Sequence, residues 1–288
     1  MKKINLPAVF AGAPRMLIKI GYDIAYEVSA PTPMLLMLQV HPERMKDLRA
    51  PERLITEPEV EIENYTDCFG NRCAKIIAPP GLIRLYCDTI IEDSGLPEPV
   101  CHAAVQHPVQ DLPLEVLPFL LGSRYCEVEK LNETAWQLFG TVPPGWRRVQ
   151  AVCDWVHNHV EFGYKFARDT RTAWEAFHER HGVCRDFMHL AVTFCRCLNI
   201  PARYATGYLG DIGVPAVPEP MDFSAFFQVY LGGRWHSFDA RHNARRIGRV
   251  AIGYGRDAVD VALTTTFGKH VLRKFTVWTD ELAAIPAG

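Results

Sequence analysis

The sequence predicts an α+β fold, with strands at the N-terminal end, helices in the middle and antiparallel strands towards the C-terminus. Residues 17–100 contain short runs with the alternation of half-buried strands. After about residue 113 the apolar residues instead recur at helical spacing, and strand-like runs return after residue 200. This segregation of helices and strands along the chain is typical of the α+β class.

The chain length of 288 residues suggests two domains, and one large domain is the alternative that length leaves open. We place an N-terminal β domain at residues 1–110 and a helix-containing domain at residues 111–288. The Pro-rich segment GLPEPVCHAAVQHPVQDLP has the composition of a surface linker and lies at the predicted boundary.

The N-terminal strands begin with LIKIGYDIAYEV, whose alternation predicts one buried face made by Ile18, Ile20, Tyr22, Ile24, Tyr26 and Val28. Four further strand-like runs follow, separated by the turn signals PTP, FGN and APPG: LLMLQV, VEIENY, CAKIIA and LIRLYCDTII. Short strands at this spacing predict a β-sandwich-like unit.

Four helices are predicted in the second domain, from KLNETAWQLFG, RRVQAVCDWVHNHVEF, TAWEAFHER and VCRDFMHLAVTFCRCLNI. Thr172 is the predicted N-cap of the third helix. The strands that follow are ARYATGYL, a hairpin that turns at Gly232-Gly233, RVAIGYG and KFTVWTDEL.

Charge and hydropathy exclude several classes of partner. The 31 basic and 33 acidic residues nearly balance and form no basic stripe, so we expect no nucleic-acid partner. The opening MKKINLPAVFAGAPRM is a poor signal peptide, and no apolar run is long enough to span a bilayer. We therefore expect a cytoplasmic protein with no membrane partner.

The nine cysteines give no metal-site pattern. Cys87, Cys153, Cys195 and Cys197 lie in apolar periodic segments, which predicts core packing. Cys68-x4-Cys73 and Cys195-x-Cys197 lack a second Cys/His pair at zinc spacing. The glycine-rich pieces also lack phosphate-loop spacing, so we expect no metal and no cofactor.

Cys184 stands where the fourth helix should begin, in HGVCRDFMHL. A thiol at a helix N-terminus lies beside unpaired N–H groups and the positive end of the helix dipole, which favour the thiolate and could bind an oxyanion. A buried Cys with only a packing role is the alternative that position alone leaves open. Asp186, in the first turn, is predicted to cap the helix or form a salt bridge.

Several motifs in one order resemble the transglutaminase-like superfamily, and most nearly its bacterial members that are described as candidate cysteine proteases. They are GVCRDF, IPARYATGYL and the hairpin ending in FDA, preceded by YTDCFGNRC, APPG, IRLYCDTIIEDSG and LPFLLGSRYCEVEKLNETAW. The resemblance spans roughly residues 17–260. It implies a transglutaminase-associated β domain followed by a papain-like core, in which a helix carrying the Cys packs on an antiparallel sheet.

The resemblance also implies a Cys–His–Asp triad without a cofactor. Cys184 falls on the nucleophile and Asp239 on the acid, but Ser224 occupies the position of the family's His. The usual His-Ala-Trp tripeptide is replaced here by Ser224-Ala225-Phe226. If Gly232-Gly233 form a two-residue turn, Asp239 lies across from Phe226, and Ser224 points to the same side of the hairpin as Asp239.

A Ser hydroxyl cannot act as a general base near neutral pH, so another group must replace the His or catalysis must be weak or absent. His242 follows Asp239 closely and is the substitute base to consider. His236 faces the other side of its strand by alternation, His189 is better explained as a core or surface residue, and His181 as a loop residue.

The sequence thus predicts a transglutaminase-like cysteine protease, amidase or acyltransferase that acts on peptide or glutamine-type amides through a Cys thioacyl intermediate. Its partner would be a peptide or protein substrate. The alternative is a catalytically impaired relative that keeps the cleft as a peptide- or protein-binding module. The sequence does not choose between water and an amine as acceptor.

Overall fold

The computed structural model describes residues 15–217 and 220–282. The opening segment MKKINLPAVFAGAPRM, from which we expect no signal peptide, therefore lies almost entirely outside the described residues. Within the described ranges, no helix combines the length and the apolar character needed to cross a bilayer.

The N-terminal part folds into six strands whose positions largely follow the predicted alternation. The six residues predicted to form the buried face of the first strand are all buried. The predicted run LLMLQV, however, stops being a strand after Leu36. The six strands are β1 (Met16–Val28), β2 (Thr32–Leu36), β3 (Ile55–Glu57), β4 (Glu63–Thr66), β5 (Arg72–Ala78) and β6 (Gly81–Asp93).

All four predicted helices are present, with short strands between them. The Thr172 side chain accepts a hydrogen bond from the Glu175 N–H, and the Glu175 carboxylate accepts one from the Thr172 N–H, which confirms the predicted N-cap as a capping box. The elements are α1 (Val128–Phe139), α2 (Trp146–His159), β7 (Glu161–Phe162), α3 (Ala173–Glu179), β8 (His181–Gly182) and α4 (Cys184–Cys197).

A four-stranded antiparallel sheet follows, in the order β11-β10-β9-β12, and α4 packs against β9 and β10. Its strands are β9 (Ala202–Tyr208), β10 (Ser224–Leu231), β11 (Arg234–Phe238) and β12 (Val250–Gly255). The hairpin register is the predicted one, with Leu231 opposite Arg234 and Phe227 opposite Phe238. Gly232 and Gly233 both have positive φ, 57° and 81°, as a tight hairpin turn requires.

The last two strands return to the N-terminal part of the molecule. β13 (Thr264–Thr266) pairs with β2, and β14 (His270–Leu282) pairs with β1 along its length. The sandwich therefore consists of the sheets β14-β1-β6-β3 and β13-β2-β5-β4. The sequence division into residues 1–110 and 111–288 does not anticipate this return, because alternation marks a strand without indicating its partner.

The sandwich is joined to the β9–β12 sheet by hydrogen bonds to the β12 backbone. The Asn71 side chain exchanges two bonds of 2.8 Å with the N–H and carbonyl of Tyr254, and the His41 N–H donates to Ala251 O at 2.9 Å. Tyr254 also packs edge-on against the His41 ring. These contacts attach the N-terminal sandwich to the β11-β10-β9-β12 sheet. Ser224 is the first residue of β10 in that sheet, and Asp239 directly follows β11.

Asp23 links three strands of one sandwich sheet, which leads to a stability prediction. Its carboxylate accepts two bonds of 2.8 Å from Arg84 on β6 and one of 2.6 Å from Lys274 on β14. The bonds from Arg84 have the largest effect on the pKa of Asp23. Together with the bond from Lys274 they outweigh burial and lower this pKa to about 2. We expect Asp23→Asn to lower the free energy of unfolding by about 2 kcal/mol at neutral pH.

The pH dependence of this effect provides its check in urea unfolding. Because the folded-state pKa is depressed, the contribution is present above the unfolded value of about 3.9 and is lost as the pH falls towards 2. Glu63→Gln, which removes an exposed ion pair with Lys75, is the matched control and should change stability by less than about 1 kcal/mol. Equal losses in the two variants would contradict the assignment.

Candidate active site

Cys184 is the first residue of α4, and the turn before it is held by Asp186. The Asp186 carboxylate accepts the Val183 N–H at 2.9 Å and pairs with Arg171 at 3.0 Å, so the predicted capping and salt-bridge roles are both confirmed. A Cβ added at Gly182 would lie 2.5 Å from the same carboxylate oxygen. Only glycine therefore fits before the Val183-Cys184 pair.

The sequence expectation that the helix start alone favours a Cys184 thiolate is not supported. Cys184 is half-buried, and burial raises the pKa of its thiol above the ordinary value. The backbone of Ala225 and the guanidinium of Arg241 oppose this effect but do not overcome it. Because the thiol ionises less readily here than in water, a reactive sulfur needs a neighbouring group to take its proton.

Cys184 opens into a cavity of about 400 Å³ between α4, the start of β10 and the loop after β11. Two residues named from the sequence, Ser224 and His242, line the same cavity. The wall is otherwise mostly apolar, with charged groups at a few positions. It includes Phe162, Tyr164, Leu209, Val214, Met221, Asp222, Phe223, Arg241 and Arg246.

Asp239 lies one residue past β11 and is buried, with only 1% of its side chain exposed. One carboxylate oxygen accepts the N–H groups of Arg241 and His242, both at 3.0 Å. The other accepts His242 Nδ1 at 2.8 Å and Arg249 Nη2 at 3.0 Å. Burial by itself would raise the pKa of Asp239, but the His242 and Arg249 bonds hold it well below its usual range.

His242 is thereby oriented by a buried carboxylate. A carboxylate only accepts hydrogen bonds, so the proton in the 2.8 Å contact is on His242 Nδ1, and in the neutral ring this leaves Nε2 as the acceptor nitrogen. Nε2 makes no hydrogen bond within the described residues. The loop after β11, rather than β10, therefore supplies an imidazole that is hydrogen-bonded to a buried carboxylate beside the cavity.

Ser224 is the first residue of β10, pairs with Gly207 of β9 and is buried. Its hydroxyl is 3.5 Å from the Ala225 carbonyl, at the limit for a hydrogen bond. Among the described residues, no hydrogen bond joins Ser224 to Asp239. The β10–β11 ladder ends at the pair Phe227–Phe238, so the predicted pairing of Asp239 with Phe226 lies one residue beyond it.

The other histidines considered from the sequence do not line this cavity. His236 is buried against Trp146 and bonds to Leu231 O at 3.1 Å. His189 is fully buried, stacked on Tyr125, and its Nε2 accepts the Ala258 N–H. His181 lies beside Phe166 and Glu179.

Three charged residues near the site were not predicted. Arg249 bonds Asp239 from a position ten residues further along the chain, and no spacing rule links the two. Arg241 could have been noticed as the residue after FDA; its guanidinium lies 3.7 Å from the centre of the Phe162 ring. Asp222 lines the cavity, and burial raises the pKa of its carboxyl.

Comparison with known proteins supports the sequence resemblance. The profile of the transglutaminase-like superfamily matches residues 133–240, which include Cys184, Ser224 and Asp239 and stop before His242. A crystal structure from Cytophaga hutchinsonii, described as a candidate cysteine protease, is 32% identical, with a TM-score of 0.80. That match covers 95% of this chain and 93% of the other.

A second relative was found by sequence comparison. An uncharacterised protein of Mycobacterium leprae is 29% identical over 119 residues, which is 40% of this chain. The alignment spans 42% of that protein, so the chain matches less than half of its length.

Proposed function

The chain belongs to the transglutaminase-like superfamily, and from that premise we propose that it is a cysteine hydrolase or acyltransferase in which His242 serves as the base for Cys184. The observation that carries the proposal is the 2.8 Å bond between Asp239 and His242 beside a cavity that Cys184 also lines. The substrates would be peptide or glutamine-type amides, because the attacking thiol needs an acyl carbonyl.

The reaction proceeds in two halves. His242 Nε2 takes the Cys184 proton while the sulfur attacks the amide carbon, and the carbonyl oxygen becomes an oxyanion near the N–H groups at the start of α4. Collapse of this intermediate breaks the C–N bond, and His242 gives its proton to the departing amine. The acyl group then passes from the Cys184 sulfur to water, which gives hydrolysis, or to an amine, which gives acyl transfer. His242 takes a proton from the acceptor and returns it to the released Cys184 thiolate as the C–S bond breaks.

Asp239 and Ser224 have different parts in this scheme. Asp239 stays ionised, holds the imidazole and stabilises its protonated form during the transfer. Ser224 occupies the place of the family's His but has no base strength; it lines the cavity together with His242.

A second function, binding without turnover, is favoured by two observations. Burial raises the pKa of Cys184, and Ser224 stands where relatives carry their His. In this case the cavity would bind a peptide or protein segment, and Cys184 would line the cavity without reacting.

Peptide turnover separates the two functions. Glutamine-containing peptides are incubated with the protein, with and without a primary amine, and ammonia, cleaved peptide and amine adduct are measured. The enzyme proposal expects turnover by the unmodified protein that is lost in Cys184→Ala. Absence of turnover in the unmodified protein, together with turnover by Ser224→His on the same peptides, would favour the binding function instead.

A further inference from the structure

Glu98 is a charged residue outside the cavity that is connected to Asp239 through Arg249. Glu98 Oε1 accepts Arg249 Nε at 2.7 Å, and Arg249 Nη2 donates to Asp239 at 3.0 Å. Asp239 in turn bonds His242 at 2.8 Å. Four ionisable groups therefore form an unbroken series from the segment after β6 to the proposed base.

Burial makes the charges in this series interact strongly. The exposed fractions of the side chains are 20% for Glu98, 6% for Arg249 and 1% for Asp239. With so little solvent screening, each charge is balanced mainly by its neighbours in the series.

Arg249 and His242 bond to the same oxygen of Asp239 and therefore compete for its negative charge. When Glu98 pairs with Arg249, the guanidinium charge is shared between two carboxylates. Without Glu98, Arg249 would neutralise Asp239 alone, and the carboxylate would hold a protonated His242 less firmly. The presence of Glu98 thus strengthens the Asp239–His242 interaction that the transfer of the Cys184 proton requires.

Glu98 is itself held in place from both sides. Its N–H donates to Arg246 O at 3.1 Å, and Arg245 Nε donates to Glu98 O at 2.6 Å. Arg44, in the turn after β2, donates to Arg249 O at 2.8 Å. The loop before β12 therefore holds the Glu98 backbone, and the turn after β2 holds the Arg249 backbone.

We propose that Glu98 is a positioning residue, through which the segment leaving the N-terminal sandwich sets the charge and orientation of the Asp239–His242 pair. The inference rests on the proposed role of His242 and adds a functional reason for the attachment of the sandwich to the second sheet. It predicts that Glu98 affects Cys184 only when His242 is present.

The test is a double-mutant cycle on the rate of Cys184 alkylation by iodoacetamide near neutral pH. Glu98→Gln should slow the reaction about threefold to tenfold, in the lower part of the range typical of coupled residues in one network. In a His242→Ala background the same change should have no further effect. A merely structural role for Glu98 would lower the rate by the same factor in both backgrounds and would overturn the proposal.

The matched control is Glu92→Gln, which removes a carboxylate paired with Arg15 and Arg49 on the sandwich, and its rate should equal that of the unmodified protein. Circular dichroism checks folding. If Glu98→Gln does not fold, Glu98→Asp, which keeps the charge on a shorter side chain, should give a smaller loss that again vanishes without His242.

The outcomes distinguish the two proposals. If His242→Ala alone leaves the rate of Cys184 alkylation unchanged, His242 is not the base. The proposed function then fails, and the inference about Glu98, which depends on it, fails as well. If His242→Ala slows alkylation but Glu98→Gln does not, the role of His242 stands and only the inference about Glu98 is overturned.

Discussion

Replacement of His242 by alanine is expected to slow both Cys184 alkylation and amide turnover near neutral pH by about 10²–10⁴-fold, the usual contribution of a positioned general base. The physical reason is that burial already disfavours the Cys184 thiolate. Without an imidazole to take the proton, the sulfur must ionise unaided in a partly dry site. The loss is measured with iodoacetamide and with the peptide substrates.

The pH dependence of Cys184 alkylation should differ between His242→Ala and the unmodified protein. Because the pKa of the Cys184 thiol is raised by burial, the variant should regain alkylation only above the ordinary thiol range, as the free thiolate forms. The unmodified protein should react already near neutral pH. His178→Ala, which removes an exposed imidazole on α3, is the control and should keep the unmodified profile. Identical profiles for His242→Ala and the unmodified protein would contradict the assignment of the base.

Asp239→Asn is expected to have the second large effect, on activity and stability together. Among the described residues, the change leaves buried Arg249 in an ion pair with Glu98 alone, and it lets the imidazole of His242 reorient. Turnover should fall by about 10²–10⁴-fold, as for a triad that loses its acid. The free energy of unfolding should fall by about 3–5 kcal/mol, the cost of breaking a buried ion pair by removing one partner.

Chemical denaturation at several pH values checks the stability loss. The folded-state pKa of Asp239 is depressed, so its contribution is present at neutral pH and fades as the pH falls below the unfolded value of about 3.9. Asp260→Asn, which removes a carboxylate paired with Arg256 away from the cavity, should leave turnover unchanged. A stable, fully active Asp239→Asn protein would rule out the proposed charge series.

The sequence predicted most elements of the fold because their signals are local. Alternation identified the buried face of β1, and the Thr172 capping box marked the start of α3. The partner of β14 could not be predicted in this way. Its pairing with β1 joins residues about 250 positions apart, as in the bond between Lys274 and Asp23. Such pairing depends on the packing of the whole sandwich rather than on any short pattern.

The candidate site was predicted in part for the same reason. Cys184 and Asp239 stand out through motifs, and His242 through its closeness to Asp239 along the chain. Arg249 and Glu98 carry no such mark, since their importance lies in contacts across 10 and 151 positions. The balance between burial and the helix start at Cys184 also required the structure, because sequence does not give the depth of a side chain.

The most direct test of an activated Cys184 is alkylation of the unmodified protein with iodoacetamide near neutral pH, followed by mass-spectrometric mapping of all nine cysteines. Cys68, which is exposed, serves as an internal reference. The account predicts that Cys184 is modified first, faster than Cys68 and faster than free cysteine. Modification of Cys184 no faster than free cysteine would contradict the account.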